Sequence, residues 1–239
     1  MTDPAFATLA DIRARLSDLP APDAAATDAA RARNGHLTKP PGALGRLEDL
    51  AVWVAGWQGT DRPRIAAPQI VVFAGNHGVA ARGVSAFPAD VTAQMVANFE
   101  AGGAAINQLA QVAGARLDVV ALDLDRPTQD LSQGPAMDTA DLCAAMVRGW
   151  DSLASESDLL VVGEMGIGNT TAAAAIATAL HGGDPMHWTG PGTGLDAAGV
   201  VRKADVVAQA VAANPGAARD GLEALRCLGG REQIGRAHV

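Results

Sequence analysis

One stretch, DLLVVGEMGIGNTTAAAAIATAL over residues 158–180, constrains the fold more than any other. The apolar run Leu159 to Val162 has the length of a strand, a glycine-rich turn follows, and the alanine-rich remainder reads as a helix. Strand, glycine turn and helix together are the way α/β proteins hold phosphate: free N–H groups of the first helical turn and the positive end of the helix dipole face the anion. Gly163, Gly166 and Gly168 allow close backbone approach, and Asn169, Thr170 and Thr171 are placed to cap the helix or donate to phosphate oxygens. The spacing Gly163-x4-Gly168 matches most of a triphosphate loop, but that motif needs lysine where this chain has Asn169. Without the ammonium, β and γ phosphates lose their main charge partner, so the turn suits a monophosphate better than ATP.

The rest of the chain sets this unit in context. The first ~60 residues have helical periodicity. Phe6, Leu9, Ile12 and Leu16 fall on one face after an Asp3-Pro4 start signal, Ala24 to Arg33 is a second segment, and Leu44, Leu47, Leu50, Ala51 and Val54 form a stripe on a third, with Trp53 and Trp57 near its end. Gln69 to Ala74 (QIVVFA) is the first strand, and Gly75-Asn76-His77-Gly78 lies at its C-terminal end, where open α/β sheets place ligands. Helices are expected at 91–99 and 104–113, a second strand at 117–124 and an amphipathic helix at 139–155 with Leu142, Met146 and Trp150 on one side. A second glycine-rich loop, WTGPGTGLD, is expected at 188–196 before a helix over 195–213, and a last helical pattern starts at Leu222. Helices first and then alternating strands and helices imply an α/β fold: a doubly wound, mostly parallel sheet with helices on both faces, plus a smaller N-terminal helical subdomain. The expected division is 1–62 for the helical part and 63–233 for the α/β part, with 234–239 a non-native tail to a reading frame cut short.

Composition narrows the function. A net charge of −8 without a basic block argues against nucleic acid and anionic membrane. Aromatics are 3% and tyrosine is absent, so stacking platforms for single strands are scarce. Cys143 and Cys227 are far apart without metal or redox spacing. The N-terminus lacks a signal-peptide core and no run reaches the ~18 apolar residues of a membrane span. A cytoplasmic enzyme of small molecules is expected.

Six pieces in order resemble one family, the nicotinate-nucleotide–dimethylbenzimidazole phosphoribosyltransferases of cobalamin lower-ligand synthesis. They are TKPPGALGRLE (38–48), FAGNHGV (73–79), GVSAFP (83–88), VTAQMV (91–96), GEMGIGNTT (163–171) and GPGTGL (190–195), with Lys203 following. The resemblance runs from about Thr38 to Glu232. It implies transfer of 5-phosphoribosyl from nicotinate mononucleotide to 5,6-dimethylbenzimidazole, a homodimer, and a general-base glutamate some way beyond the last residue of this sequence. On that ground the chain is expected to be inactive alone. No cofactor or metal is expected, because the pyridinium leaving group is neutralised as it departs and no pyrophosphate leaves.

The resemblance also distributes roles. Glu164 and Lys203 are expected to act on substrate charge. Gly166, Gly168, Asn169, Thr170, Thr171, Gly192, Thr193 and Gly194 are expected around the phosphate, the two loops converging on one anion with two helix N-termini aimed at it. Thr193 has the alternative of capping the next helix. His77, Ser85, Gln94 and Met95 are the expected base contacts: ring, hydroxyl, amide and soft apolar wall suit a flat benzimidazole. His77 has the alternative of fixing its loop, and Met95 of plain core. Asn76 and Pro191 depart from the family's frequent Asp and basic residue. Two other readings stand beside this one: a nucleotide kinase or ATPase with a degenerate phosphate loop, and a non-catalytic binder of nucleotide or base.

Overall fold

The computed structural model describes residues 6–236, with side chains to Gln233. The elements are α1 (Leu9–Ser17), α2 (Ala24–His36), α3 (Arg46–Gln58), β1 (Pro68–Ala74), α4 (Val91–Glu100), α5 (Ala105–Ala113), β2 (Arg116–Ala121), α6 (Thr139–Asp151), β3 (Leu159–Met165), α7 (Asn169–His181), α8 (Pro185–Trp188), α9 (Ala197–Ala213), α10 (Gly221–Leu228) and α11 (Arg231–Arg236). The Asp3-Pro4 start signal and residues 237–239 of the expected tail lie outside the described residues. No helix among the described residues is long and apolar enough to cross a membrane.

The chain forms two compact units, one over Arg13–Ala66 and one over the residues to Ile12 together with Ala67 onward. The larger unit thus includes the start of α1. Phe6 and Ile12 are buried in a cluster with Leu142, Met146 and Leu222, and Phe6 meets the Trp150 ring edge-on.

The larger unit is built on a parallel sheet of order β2-β1-β3. Alternation along β1 sends its side chains to two different cores. Ile70 and Val72 pack with Phe99, Ile106 and Ala110 of α4 and α5, whereas Val71 and Phe73 pack on the opposite face with Leu122, Leu160 and Val162; α11 lies against β1 and β3. The fold is α/β, as expected. A buried glutamine ties the strands to the following loop. Gln69 Nε2 donates to Asp118 at 2.7 Å and to the Ser152 carbonyl at 2.8 Å, and its Oε1 accepts from Ala154 N and Ser157 Oγ.

Two strand ends differ from expectation. β3 runs on through Gly163, Glu164 and Met165, which pair with Val72, Phe73 and Ala74, so the turn is only Gly166–Gly168. Gly163 faces Val72 Cγ2 closely, at 3.2 Å from where a Cβ would stand. β2 stops at Ala121 rather than 124, and Asp123 takes φ 48°, a left-handed conformation that aspartate tolerates better than most residues.

In the smaller unit α2 starts on Asp23, which accepts from Ala26 N, and α3 ends at left-handed Gly59. Glu48 gathers the motif 38–48: Asn34 Nδ2 and Lys39 Nζ each lie 2.8 Å from it and Leu44 N 3.0 Å. The Asn34 and Lys39 contacts, with the Leu44 amide, push its carboxyl down to about 2. The stripe on α3 is largely exposed, with Leu47 at 64% and Trp53 at 58%.

Candidate active site

In a parallel sheet the carboxyl ends of all strands share one edge, and it is outside that edge that open α/β sheets take ligands. Here Gly75-Asn76-His77 leaves β1 beside the Gly166–Gly168 turn leaving β3. Gly75 N donates to the Met165 carbonyl at 3.0 Å. A Cβ on Gly166 would stand 2.5 Å from the Gly75 carbonyl oxygen and 3.2 Å from His77 Nε2. Gly166 is therefore required by backbone approach inside the protein, and Gly168 by its φ of 96°. α7 begins at Gly168 with no side-chain cap; in its first turn Asn169 N and Thr171 N donate to the Gly166 and Gly168 carbonyls.

Lys203 closes the arrangement from another helix. It sits two turns into α9 at 1% exposure. Its Nζ donates to Thr170 Oγ1 at 2.7 Å and to the Gly190 carbonyl at 3.2 Å. A Cβ on Gly192, whose φ is 55°, would be 3.4 Å from both Lys203 Nζ and Thr170 Oγ1. The two glycine loops thus lie side by side, joined by one ammonium. Burial pushes that ammonium below the ordinary lysine range. The cation absent at Asn169 is delivered from α9.

Of the two expected helix N-termini, that of α7 lacks a side-chain cap and that of α9 has one. Asp196 caps α9, accepting from Gly199 N at 2.7 Å, so a carboxylate already occupies that end and Thr193 is not the cap. Thr193 Oγ1 instead lies 3.4 Å from Ser85 Oγ, and Arg202 Nε donates to the Gly83 carbonyl at 3.3 Å, which brings the loop 83–88 to the loop 190–195. Gly194 has φ 121° and open space around it.

The remaining expected residues are distributed around this cradle. Glu164 is an exposed strand residue hydrogen-bonded by Asn169 Nδ2. Thr171 is fully buried, and its Oγ1 has no partner among the described residues. Gln94 is exposed and Met95 half-buried on α4; that helix is tied to the turn by Ile167 N, which donates to Thr92 Oγ1 at 3.2 Å. His77 is 2% exposed, with its Nε2 2.8 Å from Glu232 Oε1. Thr92 and Glu232 lie outside the set of expected site residues. Glu232 is 155 positions from its partner, and no local spacing signals such a pair.

The sequence profile of the family described as Phosphoribosyltransferase matches residues 19–237. The nicotinate-nucleotide–dimethylbenzimidazole phosphoribosyltransferase of Ruegeria pomeroyi is 66% identical over 229 residues, covering 96% of this chain and 68% of the relative. The enzyme of that name from a Jannaschia species is 62% identical over 232 residues, covering 97% and 68%. A crystal structure of CobT from Thermus thermophilus superposes with a TM-score of 0.80 at 40% identity, covering 90% of this chain and 70% of that one. Profile, identity and superposition agree that the chain belongs to the nicotinate-nucleotide–dimethylbenzimidazole phosphoribosyltransferase family.

Proposed function

We propose that this chain carries the phosphoribosyl site for transfer from nicotinate mononucleotide to 5,6-dimethylbenzimidazole. A benzimidazole nitrogen attacks the ribose C1′, the C1′–N bond to nicotinate breaks, and its electron pair neutralises the pyridinium ring. The proton on the other benzimidazole nitrogen leaves to a base, and the products are nicotinate and α-ribazole 5′-phosphate. The observation that carries the reading is the Lys203–Thr170–Gly192 cradle beside the uncapped start of α7. One ammonium, one hydroxyl and a helix N-terminus match a monophosphate. A triphosphate loop is disfavoured, because its first glycine, Gly163, is a paired strand residue.

In this reading Thr170, Asn169 and the Gly192–Gly194 loop surround the phosphate, and Lys203 neutralises it. Glu164 faces the ribose and stabilises positive charge as the bond breaks. Ser85, Gln94 and Met95 form the wall for the flat base. The enzyme works in the cytoplasm as a homodimer, without metal.

The test is calorimetric titration of the chain with nicotinate mononucleotide, beside chromatographic assay of nicotinate release by the chain and by the Ruegeria pomeroyi relative. Binding of the mononucleotide, with turnover that survives EDTA in the relative, is the expected result. Failure of the chain to bind it, or hydrolysis of ATP dependent on Mg²⁺, overturns the reading.

A further inference from the structure

Four glycines from three distant segments face one buried pair of side chains. His77 Nε2 and Glu232 Oε1 are 2.8 Å apart, and both side chains are completely enclosed, so the two form a hydrogen bond sealed from solvent. A Cβ on Gly75 would stand 2.7 Å from Glu232 Oε2, and one on Gly230 2.5 Å from the same oxygen. A Cβ on Gly166 would stand 3.2 Å from His77 Nε2, and one on Gly168 3.4 Å from His77 Cβ. The pair is therefore clamped between the end of β1, the turn after β3 and the start of α11.

Enclosing an imidazole and a carboxyl is costly unless each satisfies the other. His77 Nδ1 and Glu232 Oε2 have no partner among the described residues, so the 2.8 Å contact is what the pair has to offset its desolvation. Such a contact is unforgiving of displacement, and the His77 ring fills the space that a Cβ on Gly166 would need. Gln233 adds a second tie from the same short segment: its Nε2 donates to the Asn169 carbonyl at 2.9 Å, while its Oε1 accepts from Gly230 N at 3.1 Å.

We propose that Glu232 is a positioning residue for the phosphate cradle, acting through His77 to hold the Gly166–Gly168 turn from which α7, and with it Thr170 of the cradle, starts. Neither residue touches substrate in this scheme. The proposal rests on the phosphate reading above for the identity of the anion, but not for the coupling between Glu232 and the turn.

The experiment compares the wild-type chain with Glu232→Ala, Glu232→Asp and His77→Ala. Amide hydrogen exchange is read at Asn169 and Thr171, whose N–H groups donate to the Gly166 and Gly168 carbonyls, against amides of β1 as reference. Calorimetry reads the affinity for inorganic phosphate. In Glu232→Ala, exchange at Asn169 and Thr171 should accelerate by about tenfold with β1 unchanged, and phosphate affinity should fall by about tenfold, the scale of one lost charge-assisted hydrogen bond. The effects of Glu232→Ala and His77→Ala should not add, since both remove the same contact. If the alanine variants do not fold, Glu232→Asp decides: it keeps the carboxyl group but withdraws it by one bond, and the turn alone must loosen. Wild-type exchange at the turn, acceleration spread equally over β1, or additive effects overturn the proposal. Should the wild-type chain bind no phosphate, the phosphate reading fails, while the exchange measurement still decides whether Glu232 holds the turn.

Discussion

The two glycine loops of the site are built on opposite principles. The Gly166–Gly168 turn is buried, fixed by backbone packing on Gly75 and by the His77–Glu232 pair, and has no room for a methyl group on Gly166. The loop from Gly190 to Gly194 is exposed, surrounded largely by open space, and held to its neighbour through Lys203. Similar glycine content therefore hides a rigid half and an adjustable half. The rigid half fixes where α7 starts; the adjustable half hangs on Lys203 of α9 and, in the proposed reading, settles around the phosphate.

The sharpest way to break this contrast is Lys203→Met. If the exposed loop depends on one ammonium, turnover in the proposed transfer should fall by about 10²–10³, the usual scale for removing an electrostatic stabiliser, and binding of nicotinate mononucleotide should weaken alongside. Steady-state kinetics and calorimetry check this, and near-normal values would make Lys203 a structural residue only. Glu164→Gln is expected to lower turnover while leaving mononucleotide affinity nearly intact, because its proposed partner is charge that develops on the ribose.

Next in size is a stability comparison. Gly166→Ala pushes a methyl group to 2.5 Å from a backbone carbonyl and should cost about 1–3 kcal/mol by overpacking. Gly190→Ala meets nothing within 4 Å and should stay within about 0.5 kcal/mol of wild type. Urea unfolding of the two variants measures both; equal losses would erase the distinction between the loops.

The smallest effect is one of pH. Burial lowers the Lys203 pKa, so the folded state holds this proton less firmly than the unfolded state does. Between the lowered value and the ordinary 10.5, the unfolded chain binds more protons, and the contribution of Lys203 to stability rises with pH. Anion affinity has the opposite sign, because the ammonium is the species that attracts phosphate. Raising the pH through the lowered value should weaken phosphate binding, and Lys203→Met should flatten that dependence in a calorimetric series.

Much of this was legible in the sequence because it is local. The strand at 69–74, the helices from Val91 and from Asn169, and the two glycine loops all announce themselves within a few residues. What escaped is what pairing across the chain decides. Gly163 and Glu164 read as turn residues, since glycine and glutamate are weak strand formers, but hydrogen bonding to β1 extends β3 over them. Asp196, rather than Thr193, caps α9; each is an acceptable cap by type, and only the backbone path chooses. Asp123 ends β2 early through a left-handed φ that its spacing does not reveal. The 38–48 motif carries its signal openly, although its local work is the Glu48 cluster within the helical unit. Glu232 is the clearest omission, because a buried carboxylate is recognised only once its histidine is in view.

The bond from Ile167 N to Thr92 Oγ1 has a consequence for how two substrates sense each other. Thr92 is two residues from Gln94 on α4, so the helix proposed to face the base and the turn proposed to face the phosphate share a covalently short, hydrogen-bonded link. Any ligand that favours one setting of this link shifts its population for the other ligand as well. Thermodynamic reciprocity then requires that the factor by which mononucleotide sharpens base affinity equal the factor by which base sharpens mononucleotide affinity. A single hydroxyl on Thr92 is thus a place where the two affinities are tied by one factor, whichever substrate binds first.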